Sequence, residues 1–157
     1  LERASRKMKR KSEDRFQTAA QAADAMSMIG RADDAVDLII STASENPTPE
    51  HTTQALISAL RYSLLKGDMS AASDYALKAR KAVEGLGNGI GKGIYGKELR
   101  IFESFLSGEE TMLSHRYHTA ETELIKLEAA MLLSDSNDIA LKDECIRFIS
   151  EPREDKL

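Results

Sequence analysis

Apolar and polar positions recur along this chain with helical spacing. In FQTAAQAADAMSMIG, Phe16, Ala19, Ala20, Ala23, Met26 and Ile29 fall at i, i+3, i+4 and i+7. This predicts an amphipathic helix closed by Gly30, since glycine tolerates the left-handed cap conformation. A second helix is predicted directly after it, ADDAVDLIISTASEN, with Asp33 and Asp34 favourable near its start. Asn46–Pro47–Thr48–Pro49 ends that helix, because proline cannot continue the backbone ladder. So short a turn between the two helices makes them antiparallel. The plan then repeats. HTTQALISALRYSLLKG predicts a helix ended by Gly67, and DMSAASDYALKARKAVEG predicts its partner, capped by Asp68 or Ser70. Gly30 and Gly67 lie 37 residues apart, within the window for stacked helical repeats. A further helix is expected from about Lys97 to Arg116, paired with RYHTAETELIKLEAAMLL, and NDIALKDECIRFIS is expected to close the fold with Asn137 or Asp138 as its cap.

Composition sharpens this into an all-α expectation. The 157 residues suffice for one domain with a sizeable core. They are 41% hydrophobic and 31% charged, with Ala, Leu, Glu and Lys plentiful and β-branched runs scarce. The expected organisation is a basic extension over residues 1–15, a single repeat domain over 16–150 with a glycine-rich linker at 85–96, and a polar tail over 151–157. No apolar run approaches a membrane span. The start, LERASRKMKRK, leads into polar sequence and does not read as a signal peptide, so the cytoplasm is the expected compartment. The nucleus is an alternative through the basic segment 3–11, with Arg3, Arg6, Lys7, Lys9, Arg10 and Lys11. Leu1 in place of an initiating Met suggests a piece of something longer.

Charge is unevenly spread. Residues 1–15 hold seven Lys or Arg against three acids, which leaves the rest of the chain at −8 in a total of −4. A body that acidic is a poor ligand for nucleic acid. The lone Cys145 excludes an internal disulfide or a thiolate cluster and reads as a core residue.

Candidate chemistry is sparse. GLGNGIGKGIYG, residues 85–96, contains a G-x-G-x-x-G at Gly91, Gly93 and Gly96. A dinucleotide site needs that pattern after a strand, and here it follows a helix. It reads as a linker, or as a contact loop through Ile90, Lys92, Ile94 and Tyr95. His115, His118 and Glu121 drift around a helix with no fourth ligand, so no zinc site is expected, and His51 beside the proline turn reads as a surface residue. No serine elbow or partner set for nucleophilic catalysis occurs. The chain is therefore expected to be non-enzymatic, without cofactor or metal.

The helix pairs resemble the tetratricopeptide repeat family, in which small residues sit where two helices cross. With Phe16 as position 1, Ala23, Gly30, Ala35, Ile39 and Pro47 match the family pattern, while Thr42 stands where Ala is usual, beside Ala43. With Thr53 as position 1, Gly67, Ala72, Ala76 and Ala79 match, and Leu60 departs from it. A third unit counted from Ile101 puts Gly108 on a small position, Tyr117, Ala120, Leu124 and Leu127 on the second helix, and His115 in place of the turn glycine.

The resemblance implies a short right-handed solenoid over residues 16–134 whose first helices line a concave groove. The residues it places there are Gln17, Ala20, Asp24 and Met28, then Gln54, Ile57, Arg61 and Leu64, then Phe102, Phe105 and Met112. It implies a protein-interaction module holding a peptide or helix of a partner, as part of a larger scaffold or regulator. Ala20 and Asp24 stand where members that grip a carboxylate carry Lys and Asn, which argues against that subclass. A trafficking or assembly adaptor of the SNAP type, working through charged surfaces, is the alternative.

Overall fold

The computed structural model describes residues 2–151, with the side chains of residues 2–5 and 124 left aside, and among the described residues there are eight α-helices and no strand. The side chains of the expected basic residue Arg3 and of Leu124, and the tail beyond Glu151, fall outside the described part. The helices are α1 (Glu2–Met28), α2 (Ala32–Glu45), α3 (Pro49–Lys66), α4 (Met69–Gly85), α5 (Ile90–Leu106), α6 (Glu110–His118), α7 (Glu123–Leu133) and α8 (Ile139–Ser150). They group into two compact units, Leu1–Leu99 and Arg100–Leu157.

In the first unit the starts and stops follow from local chemistry. Thr48 accepts the backbone N–H of His51 and Pro49 opens α3, where its missing N–H costs nothing. Asp68 caps α4 by accepting from Ala71. Gly30 and Gly67 carry φ of 81° and 80°, where an L side chain would be strained. At Gly30 the N–H of Arg31 bonds back to Met26 at 2.9 Å, and at Gly67 the N–H of Asp68 bonds back to Ser63 at 2.9 Å. These are Schellman turns, which satisfy the last carbonyls of α1 and α3.

The ends of paired helices show how they run. Arg15 near the start of the packed part of α1 bridges Glu45 at the end of α2, and Lys66 at the end of α3 bonds Asp33 at the start of α2. Both neighbours of α2 are therefore antiparallel to it. The core between them is built on small residues: Ala23, Ala32, Ala35, Ala43 and Ala55 are buried with Phe16, Ile39 and Tyr62. Ala72, Ala76 and Ala79 of α4 are buried as well. Ala43, not Thr42, takes the buried place on α2, and Thr42 returns its hydroxyl to the Leu38 carbonyl at 2.7 Å. From Glu2 on, the basic N-terminal extension is helical and continuous with the rest of α1.

The second unit departs from expectation. The helix expected from Lys97 to Arg116 is broken at Gly108, whose φ is 71°. There the N–H of Glu109 bonds back to Ser104 at 2.9 Å and that of Gly108 to Phe105 at 3.1 Å, the same turn as at Gly30 and Gly67. Gly108 is thus a turn residue and not the small packing residue the family register made it. The expected single helix around Ala120 is also interrupted. Residues 119–122 form a turn, and Thr122 caps α7 by accepting from Ile125. Ala120 is half-buried in that turn against a core of Ile101, Leu113, Tyr117, Ile125, Ala129, Ala130, Leu133, Leu141 and Cys145. Asp138 caps α8, accepting from Leu141 at 3.1 Å.

The glycine-rich linker is shorter than expected. Only residues 86–89 connect α4 to α5, and Gly91, Gly93 and Gly96 lie inside α5. A Cβ at Gly93 would meet nothing within 4 Å, and one at Gly96 would touch Val83 at an ordinary 3.7 Å.

Candidate partner-binding face

Within the first unit, α1 and α3 are tied by side chains a constant distance apart in sequence. His51 Nε2 lies 2.7 Å from the Glu13 carboxylate, and the Tyr62 hydroxyl donates to Asp24 at 2.6 Å, both pairs 38 residues apart. One offset shared by two cross-links means that α1 and α3 run parallel, one hairpin apart. Arg61 continues the pattern, donating to Glu98 of α5 at 2.6 Å over 37 residues, with Asp24 also 3.8 Å from its guanidinium.

His51 corrects the expectation of a surface histidine: it is 6% exposed and stacks on Phe16, ring centroids 4.2 Å apart. The reason is the cap. Thr48 and Pro49 start α3 early enough that His51 sits in its first turn and faces α1. A carboxylate can only accept, so Nε2 carries the proton and donates to Glu13. Glu13 in turn takes a hydrogen bond from Gln17, and these two bonds hold its carboxyl below the usual range. Burial and the Asp24 carboxylate push the Tyr62 hydroxyl well above its ordinary pKa, so it stays a donor. Burial also raises Tyr95, with Glu98, Glu50 and Glu13 adding to it.

The residues expected to line a groove divide accordingly. Gln17, Asp24 and Met28 of α1 are exposed, Met28 at 85%, and Ala20, Gln54, Arg61 and Leu64 are half-buried. Ile57 is buried and presents nothing to a ligand, which corrects its place among the contact residues. Phe102, Phe105 and Met112 belong to the second unit: Phe102 is buried, Phe105 packs on the core there, and Met112 is exposed. Sequence reasoning missed Glu13, His51, Tyr62 and Glu98. The 37-residue spacing of Gly30 and Gly67 was the signal that pairs residues of α1 with those of α3.

A concavity of the first unit, about 200 Å³, lies where α2, α3 and α4 meet, with Asp33, Asp37, Lys66, Asp68 and Tyr75 on its walls. In the second unit His118 donates through Nδ1 to the Ser114 carbonyl, 2.8 Å away, and lies 3.4 Å from Glu144, while His115 and Glu121 are exposed. Among the described residues no three or more His, Cys, Asp or Glu side chains are grouped to hold a metal, and no helix is long and apolar enough to cross a membrane. Cys145 is buried, and burial raises its thiol pKa.

No protein-family model matches the chain, and no curated protein or solved structure matches it either.

Proposed function

We propose that this chain is a non-catalytic protein-interaction module of the tetratricopeptide kind, its hairpins stacked as a short right-handed superhelix. The peptide or helix of a partner protein lies along the face carrying Gln17, Asp24, Met28, Gln54, Arg61 and Leu64. One observation carries the reading: side chains 37 or 38 residues apart join α1 to α3 and α3 to α5, as a repeating hairpin requires. Arg61, drawn to both Asp24 and Glu98, stiffens this face, so a ligand meets ordered side chains and binding loses less entropy. Exposed Met28 beside polar Gln17 and Asp24 suits a ligand that is itself mixed in polarity.

The test is selection of peptides from a displayed library, followed by titration against variants. Met28→Glu and Asp24→Lys are expected to weaken the selected peptides by about tenfold or more each. Leu77→Glu on α4, where Leu77 is 67% exposed, is expected to leave them unchanged. Peptides weakened by the α4 change and indifferent to the α1 changes would reject this face.

A further inference from the structure

Nothing in the α1–α3 face uses the first turns of α1. Arg6, Lys7, Met8, Lys9, Arg10 and Lys11 are all exposed, and between residues 6 and 15 only Ser12 is partly covered. The core begins at Phe16. Successive helical residues turn by about 100°, so these five cations span an arc of about 200° around the helix, with Met8 on the remaining side, within about 9 Å of its length. Pairs of like charge at i, i+3 and i, i+4, such as Arg6 with Arg10 and Lys7 with Lys11, repel along the helix. An anion close by relieves that repulsion.

The distribution of charge selects among anionic partners. A helix lying on a membrane surface needs an apolar face, and Met8 is the single apolar residue of the stretch. A protein interface centres on buried apolar anchors, which the stretch also lacks. The major groove of B-form DNA, about 12 Å wide, admits a helix and presents phosphates on both flanks. The corresponding groove of duplex RNA is too deep and narrow.

We propose that residues 6–11 of α1 bind duplex DNA through its phosphates, lying in the major groove without selecting a base sequence. The acidic chain beyond residue 15, at −8, keeps the contact confined to this stretch. This inference is independent of peptide binding by the α1–α3 face, and either can fail alone.

The experiment is fluorescence anisotropy of the whole chain with a labelled DNA duplex of about 20 base pairs, from about 50 to 200 mM salt. Neutralising three to five phosphates gives an expected slope of log affinity against log salt of about −3 to −5. Lys7→Glu, Lys9→Glu and Arg10→Glu together are expected to weaken binding at least about tenfold at the low-salt end. The matching three-fold change to Gln is expected to weaken it less and to flatten the slope. Lys81→Glu with Arg147→Glu, both exposed on other helices, is expected to change little. The proposal is overturned by absence of binding at low salt, or by binding that both triple variants retain. It is overturned equally by an RNA duplex, or by vesicles with phosphatidylserine, binding the stretch as tightly as DNA.

Discussion

The core of the first unit is mostly alanine, five of eight residues in its buried cluster, whereas that of the second has only Ala129 and Ala130 among nine. Alanine lets helix axes approach to the low end of the usual 8–10 Å or so, and it fixes which residue faces which, because only one register fits. A core of Leu113, Tyr117, Ile125, Leu133 and Leu141 fills space with large side chains that several registers could satisfy. The same contrast explains the turns. In the first unit long hairpins run from one Schellman glycine to the next, while in the second Gly108 and the 119–122 turn cut the chain into short helices.

Substitutions separate the two kinds of core. Ala72→Leu, at a fully buried crossing, is expected to lower unfolding free energy by about 1–3 kcal/mol, read as a fall in Tm. Ala120→Leu, in a half-buried turn, is expected to stay within about 0.5 kcal/mol. Equal losses would mean that alanine seams do not distinguish the units.

The turn glycines erase the contrast instead. Gly67→Ala and Gly108→Ala each force an L side chain to a positive φ and are expected to cost a similar amount, about 1–2 kcal/mol by chemical denaturation. If Gly108→Ala were neutral, the third turn would not be equivalent to the first two.

Glycines inside α5 behave in the opposite sense. Gly93→Ala adds a methyl to open space in a helix and is expected to stabilise the protein by about 0.5–1 kcal/mol. A loss there would show that residues 90–96 function as the loop suggested by their composition.

The smallest effect is set by pH. Glu13 has a depressed folded-state pKa, so its contribution is complete above the unfolded value near ~4.3 and is lost as pH falls through the folded one. Its side chain is half exposed, which keeps the contribution under about 1 kcal/mol. Glu13→Gln is accordingly expected to lower Tm slightly at pH 7 and by less as pH falls through the folded-state value.

How much was legible depended on whether the signal was local. Asp68 and Asp138 mark helix starts with side chains that act within three residues, and α4 and α8 fell where expected, whereas Thr48 and Pro49, read only as the end of α2, start α3 two residues before His51. The burial of Ala35 and Ala72 followed from the family register. His51 did not, because its environment is made by Phe16 and Glu13, more than thirty residues away. Gly108 was visible as a glycine, but a 34-residue count placed it inside a helix, whereas the turn glycines are spaced 37 and then 41 residues. Thr122 was likewise a capping residue in plain view, hidden by the apolar run on either side of it.

The account rests on α1 and α3 presenting one continuous face to a partner. Backbone amide shifts, mapped by NMR with a selected peptide at saturation, test it most directly. The largest shifts are expected along α1 from Gln17 to Met28 and along α3 from Gln54 to Leu64. Shifts concentrated instead on α2 and α4 would contradict it.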